Sequence, residues 1–386
     1  MGYLSGSAPA GSFELLGQMQ ALQQQGGPGI VRQTFDLMAL GLRPGQVRPE
    51  EYYTYALWRS DRGRAFLRGF LANRRIRAFN SSLLMPARGL DCTLGRDKIA
   101  TEATLTARGL PLTRSRAVFL SDYRQKPDTA VMRDLQVLRT QNDLVAFLSD
   151  PAIYPIFGKP RTDSFARGAA VFAGLAEPGM LRFMDGRIAP LAGLATEIAA
   201  DWVGGYMFQP FYRSAAALAR HTGPAMASVR IVTLLTDRGV EPWYGVIRLP
   251  ASTAMHDGDA AGQRIWGLID VATGKIIKLR DLRDPMIPDL THGQDPEVPF
   301  LGMALPHWDQ AVAICRLAHE SFTGNGIIGW DVFLTEEGAL LNEGNANPGH
   351  VYQVAAQRPL LNPDMRPAYA RALAFARKNG GGKRAF

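Results

Sequence analysis

IIGWDVFLTEEGALLNEGNANPG, residues 327–349, is a pair of apolar runs separated by a Glu337-Gly338 turn. Two such runs around a short polar turn predict a β-hairpin. Asp331 falls on the first strand, and Glu343 and Asn345 fall on the second. Side chains alternate along a strand, so Glu343 and Asn345 share a face. Two carboxylates and an amide oxygen set among Ile327, Ile328, Trp330, Leu340 and Leu341 would be costly to bury unpaired. A hard divalent cation relieves that cost, and an all-oxygen set completed by phosphate oxygens and water suits Mg²⁺. Asp331, Glu343 and Asn345 are therefore the candidate metal ligands. The alternative is a polar hairpin edge turned to water.

Upstream of the hairpin, HWDQAVAICRLAHESF has helical spacing, and downstream a last helix is expected near 364–378, before the glycine-rich basic tail KNGGGKRAF. YPIFGKP, GMLRFMDGRIAPL, SVRIVTLLT, PWYGVIRLP and RIWGLIDVATGKIIKL read as strands, with Asp185-Gly186 and Thr273-Gly274 as hairpin turns. This region is expected to be β-rich and mostly antiparallel. From Asp97 to Pro151 helix and strand alternate, beginning with DKIATEATLTARGLPLTRSRAVFL. Residues 12–85 are expected to be helical, with Gly26, Gly27 and Pro28 breaking the pattern. The segment from Arg59 to Arg77 is rich in arginine with Phe66, Leu67, Phe70 and Leu71 between. It reads either as a solvated helix whose arginines lie over apolar surface or as a basic amphipathic helix that touches an anionic surface.

The chain has 386 residues, 46% of them hydrophobic and 20% charged, enough for two or three packed lobes. No apolar run is long enough to span a bilayer, and MGYLSGSAPAGSF lacks the pattern of a secretory signal, so a cytoplasmic location is expected. Cys92 and Cys315 lie far apart with no CxxC companion, which argues against a disulfide framework or a zinc site. The formal net charge of +8 favours anionic partners. Zinc-finger spacing, RNP-type aromatics and helix-turn-helix patterning are missing, so nucleic acid is not the expected partner.

GWDVFLTEEGALLNEGNANPG resembles the closing motif of the ATP-grasp superfamily, and more narrowly the chain is similar to the sugar-transfer-associated ATP-grasp family. EYYTYALW, the Asp97-Lys98 pair, SVRIVTLL, DVATGKI and LPHWDQA occur in that family's order, so the resemblance covers about residues 50–376. It implies an α+β, ATP-grasp fold in which two α/β lobes clasp ATP. The boundaries then expected are an N-terminal helical extension (1–90), a first α/β lobe (91–150), a small ATP-grasp lobe (151–206), a large C-terminal lobe (207–376) and a flexible tail (377–386).

The resemblance also assigns roles. It gives the phosphate-contacting lysines to Lys98 and Lys159, and a loop closing over phosphates to Ser164, Arg167 and Gly168. The adenine edge falls to Gln209 and the backbone of Phe211. Arg230 lies in an otherwise apolar strand and needs an anion. The family reading makes that anion the transferred phosphoryl group, and a salt bridge to an acidic residue is the alternative. Arg248 is a second arginine of this kind. His256, Asp257 and His292 are the acceptor-side candidates, in a region where Asp257 stands without the family's asparagine after it.

The activity implied is an ATP-dependent, ADP-producing carboxylate–amine ligase working through an acyl phosphate. Its substrates are a small-molecule acid and an amine, and the acceptor expected is a sugar acid, an amino acid or a precursor of polysaccharide biosynthesis. Such a reaction needs positioning and charge neutralisation rather than a nucleophilic side chain. A phosphotransferase acting on a hydroxyl, or an inactive nucleotide-binding scaffold, are the other readings.

Overall fold

Glycines and prolines divide the front of the chain into short helices. In the computed structural model these are α1 (Leu15–Gln24), α2 (Ile30–Gly41), α3 (Pro49–Thr54), α4 (Arg64–Leu67) and α5 (Asn73–Ser81). The structure describes residues 2–4, 13–43, 45–59, 63–86, 94, 97–123, 125, 127, 130–162, 168–223, 225–249, 265–282 and 289–382. The arginine-rich segment expected as one amphipathic helix is two: α4 ends at Leu67, and α5 starts only at Asn73. Gly69 lies in the interruption, where a Cβ would meet the Pro359 ring at 2.9 Å. These helices bury Tyr52, Tyr55, Leu57 and Phe70 in a core of their own, to which Val354 also contributes.

The helix α6 (Lys98–Ala107) is started by Asp97, whose carboxylate accepts from the backbone N–H groups of Ile99 and Ala100. Next come β1 (Ala117–Phe119), β2 (Gln136–Leu138), α7 (Gln141–Leu148), β3 (Ile156–Pro160), β4 (Ala170–Glu177), β5 (Met180–Phe183), β6 (Ile188–Pro190), α8 (Leu191–Asp201) and β7 (Tyr206–Pro210). The strands form a seven-stranded sheet in the order β2-β1-β7-β3-β4-β5-β6. It runs across the boundary expected at residue 150 and takes its β7 from just past 206. Among the described strands of this sheet only β1 and β2 pair in parallel. α8 breaks the stretch expected to be strand after strand; its Leu191, Leu194 and Ile198 close over Phe172, Phe183 and Phe208.

After α9 (Ala216–Thr222) come β8 (Ser228–Thr236), β9 (Gly239–Leu249), β10 (Ile265–Ile269), β11 (Ile276–Asp281), α10 (Trp308–His319), β12 (Ile327–Leu334), β13 (Ala339–Asn345), α11 (Val351–Ala356) and α12 (Arg366–Lys378). These strands build a six-stranded antiparallel sheet, β11-β10-β9-β8-β12-β13. The residues are long β-branched runs, and both faces are covered. One face packs Val229, Ile231, Trp330 and Val332 against α10. The other packs Val232, Leu234, Val246 and Ile327 against α11, α12 and Ile76 of α5. Cys315 is buried in the first of these layers, while Cys92 lies outside the described residues. Among the described residues no helix is long and apolar enough to cross a membrane.

Candidate active site

Register across the six-stranded sheet assembles a charged row. Arg248 pairs with Ser228, Arg230 lies two residues beyond Ser228 and pairs with Asp331, and Asp331 pairs with Glu343. Directly paired residues of an antiparallel ladder share a face. Four neighbouring strands thus contribute to one transverse line, with Asn345 beside it opposite Gly329. The row lies on the face whose other members, Val232, Leu234 and Val246, are apolar.

Arg230 grips Asp331 with two parallel bonds, Nε to Oδ1 at 2.7 Å and Nη2 to Oδ2 at 2.5 Å. Arg248 adds a third, Nη2 to Oδ1 at 3.2 Å, while donating to Ser228 Oγ at 2.7 Å. The Asn345 amide donates to Asp331 Oδ2 at 3.4 Å. Burial works to raise the Asp331 carboxyl, but the two guanidiniums hold it below its ordinary value. Burial likewise opposes the charge of Arg230, and Asp331 outweighs it and raises the guanidinium further. Of the two readings of Arg230, the salt bridge is what the protein contains. The Nη1 of Arg230 still donates to no described residue.

β13 carries the second feature. Its pairing with β12 shifts between Asp331 and Val332, so Glu343 faces Asp331 while Leu341 faces Val332, and Asn342 is the extra residue of a β-bulge. A bulge re-aims a side chain. Asn342 Oδ1 accepts from Lys159 Nζ at 3.1 Å and from Thr113 Oγ1 at 3.2 Å. It thereby ties the two sheets together, because Lys159 belongs to β3 and residues 111–113 exchange backbone bonds with Leu341. Beside this tie lies a narrow cleft lined by Lys98, Glu102, Thr113, Gln209, Asn342 and Glu343, among others. Lys159 lies buried behind it, and burial together with the neighbouring Lys98 pushes its pKa down against the pull of Glu343.

The structure thus brings Lys98, Lys159, Gln209, Glu343, Asn345, Asp331, Arg230 and Arg248 into one region. Lys98 Nζ also reaches Arg161 O at 3.5 Å. The Gln209 amide donates to Thr113 O and Oγ1, both at 3.3 Å. Phe211 lies apart from the cleft: it lines a second cavity with Tyr212, Gln310 and the 335–340 turn, and its N–H is given to Pro155 O at 3.4 Å. Gly168 has a packing reason to be glycine. Its φ is +70°, a Cβ there would meet the Trp202 ring at 2.2 Å, and its carbonyl accepts from Tyr206 Oη at 2.7 Å. His292 stays outside the row, bonded through Nδ1 to Thr291 Oγ1 at 2.8 Å and close in charge to His221 of α9. Ser164, Arg167, His256 and Asp257 lie outside the described residues.

Residues 193–365 match the model of the family described as sugar-transfer associated ATP-grasp. Over that stretch the chain is similar to that family. The match contains the whole charged row and the bulged strand of the cleft. No curated protein matches the chain. Solved structures that align with it include an ADP complex of N5-carboxyaminoimidazole ribonucleotide synthetase, at 11% identity and TM-score 0.35 over 66% of this chain and 45% of that one. The VanG D-Ala:D-Ser ligase from Enterococcus faecalis aligns at 14% identity and TM-score 0.37, over 74% of this chain and 62% of that one. A D-alanine-D-alanine ligase from Coxiella burnetii aligns at 12% and 0.35, over 73% and 58%. The chain thus spans between 45% and 62% of the length of these structures.

The row and the cleft offer a divalent cation a workable donor set, though not an all-carboxylate one. Among the described residues no three His, Cys, Asp or Glu side chains cluster to hold a metal. The Glu343 carboxylate, half-buried at the cleft, has no hydrogen-bond or ion-pair partner among them. Asn345 uses its amide N–H on Asp331 and keeps its carbonyl oxygen. Both Asp331 oxygens are engaged by arginine, yet a carboxylate has lone pairs to spare.

Sequence reasoning missed several neighbours. Glu102, on α6, is buried at the cleft, where burial raises its pKa although Ser115 gives it two bonds of 2.6 Å, from N–H and Oγ. Its spacing from Lys98, one helical turn, was a usable signal. Arg161, which grips Asp97 with Nε at 2.8 Å, carried none, because the two are far apart in the chain. Neither did the contacts between the N-terminal helices and the turn after Asn345, where Tyr55 Oη meets His350 Nδ1 at 2.7 Å and Asn80 Nδ2 donates to Asn347 Oδ1 at 2.7 Å.

Proposed function

We propose that this protein is an ATP-dependent carboxylate–amine ligase whose chemistry runs in the cleft between the two sheets. The observation that supports it is the convergence of Lys98 and Lys159 with the Glu343 carboxylate across that cleft, beside the row of two arginines around Asp331. Two ammonium groups opposite an uncommitted carboxylate suit a polyphosphate carrying a cation better than they suit a neutral ligand. Mg²⁺, held by Glu343 and Asn345 with Asp331, would neutralise phosphate charge.

In the first step a substrate carboxylate oxygen bonds to the γ-phosphorus of ATP, the bond to the β–γ bridging oxygen breaks, and ADP leaves. In the second an amine nitrogen bonds to the acyl carbon, phosphate departs, and the amine proton passes to solvent. Lys98 and Lys159 hold phosphate oxygens through both. Arg230, fixed by Asp331 through Nε and Nη2, presents Nη1 to the transferred group. Gln209 borders the base. Acceptors from polysaccharide biosynthesis and a cytoplasmic site of action go with this reading.

The test is hydroxylamine trapping. With ATP, Mg²⁺ and a panel of uronic and amino acids, an accepted acid should yield a hydroxamate, ADP and free phosphate. A stable phosphate ester with no hydroxamate would replace the ligase by a phosphotransferase. ATP binding without any turnover would leave a scaffold.

A further inference from the structure

Among the described residues thirteen large hydrophobic side chains are exposed, and six of them, Phe13, Leu16, Val31, Phe35, Met38 and Leu42, fall between residues 13 and 42. Scattered exposed hydrophobics are normal, but a concentration of this kind marks a contact surface. Val31, Phe35, Met38 and Leu42 are 71%, 67%, 57% and 85% exposed and follow the spacing that puts side chains on one stripe of α2. The opposite face of the same helix carries the buried Gln33 and Leu40.

The helix cannot roll to hide the stripe. Gln33 is tied from both ends of its amide: Nε2 donates to Met19 O at 3.0 Å and Pro28 O at 2.7 Å, and Oε1 accepts from Tyr53 Oη at 2.6 Å. Tyr52 Oη adds a bond to Asp36 at 3.1 Å. The apolar stripe is therefore held outward by a buried polar anchor.

We infer that α2 docks this protein onto an anionic lipid surface. The N-terminal segment that contains α2 has the matching charge. Residues 1–86 contain ten arginines, no lysine and five acidic side chains, and Arg32, Arg48, Arg68, Arg74 and Arg77 are exposed. α2 itself is neutral, with Arg32 3.9 Å from Asp36, so it would lie in the plane of a bilayer interface with its apolar face among the acyl chains while the other exposed arginines of the segment supply cations to the headgroups. A second copy of the chain is the poorer occupant. A two-fold contact would set the same arginines against one another, and one stripe of four side chains falls well short of the roughly 800 Å² per partner of a stable dimer.

The experiment is vesicle co-sedimentation of the full chain. Vesicles of phosphatidylcholine with phosphatidylglycerol should carry it down, pure phosphatidylcholine should not, and salt at about 0.5 M should release it. A Phe35→Glu, Leu42→Glu double variant should lose at least about tenfold in partitioning, while Phe35→Leu stays close to wild type. Both should melt as wild type does, because the buried anchor is untouched. The inference is overturned if the chain ignores anionic vesicles, if neutral vesicles bind it equally, or if the double variant partitions unchanged. It is also overturned if light scattering finds a dimer that the double variant dissolves.

Discussion

The six-stranded sheet and the N-terminal helices each keep residues where solvation disfavours them, in opposite senses. In the sheet, Arg230, Arg248 and Asp331 are charges in an apolar interior; in α2, Val31, Phe35, Met38 and Leu42 are hydrocarbon in water. The interior problem is met largely within the chain, since one carboxylate pairs with guanidiniums from two adjacent strands and leaves a single positive charge over. The exterior one is left open, and an open apolar stripe needs an outside partner. The Glu343 carboxylate is intermediate, in a cleft with charge around it but no bond from any described residue.

The comparison breaks most visibly at Asp331. Asp331→Ala removes the carboxylate that both Arg230 and Arg248 pair with and should cost about 3–5 kcal/mol in denaturant unfolding, more than any change at the exposed stripe. A loss below about 1 kcal/mol would mean that water already screens the row. Glu343→Ala sharpens the contrast, since a carboxylate kept for a ligand should matter to turnover and not to folding. ATP turnover should fall by about 10²–10³ while the melting temperature without nucleotide stays put. Equal losses in both would return Glu343 to a structural role.

A third test uses another buried polar group of the sheet. His319 of α10 meets Thr233 Oγ1 through Nδ1 and Asn325 O through Nε2, both at 2.7 Å. Burial holds its pKa at about 4, below the ordinary 6.5, although the Asn325 carbonyl pulls the other way. Between those values the unfolded chain binds the extra proton, so stability is complete above pH 6.5 and falls as pH drops toward 4. The full loss should approach about 3 kcal/mol, and urea melts of His319→Gln against wild type across that window should show the difference flattening. Identical slopes would show that the imidazole is neutral in neither state or both. The smallest effect belongs to the stripe: Phe35→Ala should change unfolding free energy by no more than about 0.5 kcal/mol.

Most strand and helix positions were legible because their signals are local. Asp97 caps α6 as its sequence neighbours suggest, Gly186 and Gly274 take the positive φ their hairpin turns need, and the period of two puts Glu343 and Asn345 on one face. The single helix read through the arginine-rich segment failed for a tertiary reason: Gly69 packs on Pro359, nearly three hundred positions away. Arg230 was legible as a guanidinium in need of an anion, but the sequence left two anions open, the transferred phosphoryl group and an acidic side chain.

By itself the sequence determined which residue types lie on which strand, and with them the acidic hairpin, the lysines and the similarity of residues 193–365 to the ATP-grasp family. It could do so because alternation and capping act over a few residues. Only the tertiary structure decided who meets whom. Strand order β9-β8-β12-β13 aligned Arg248, Arg230, Asp331 and Glu343, and one bulged residue turned Asn342 toward Lys159 of the other sheet. Those outcomes depend on register between distant strands, where a slip of one residue would send each side chain to the opposite face.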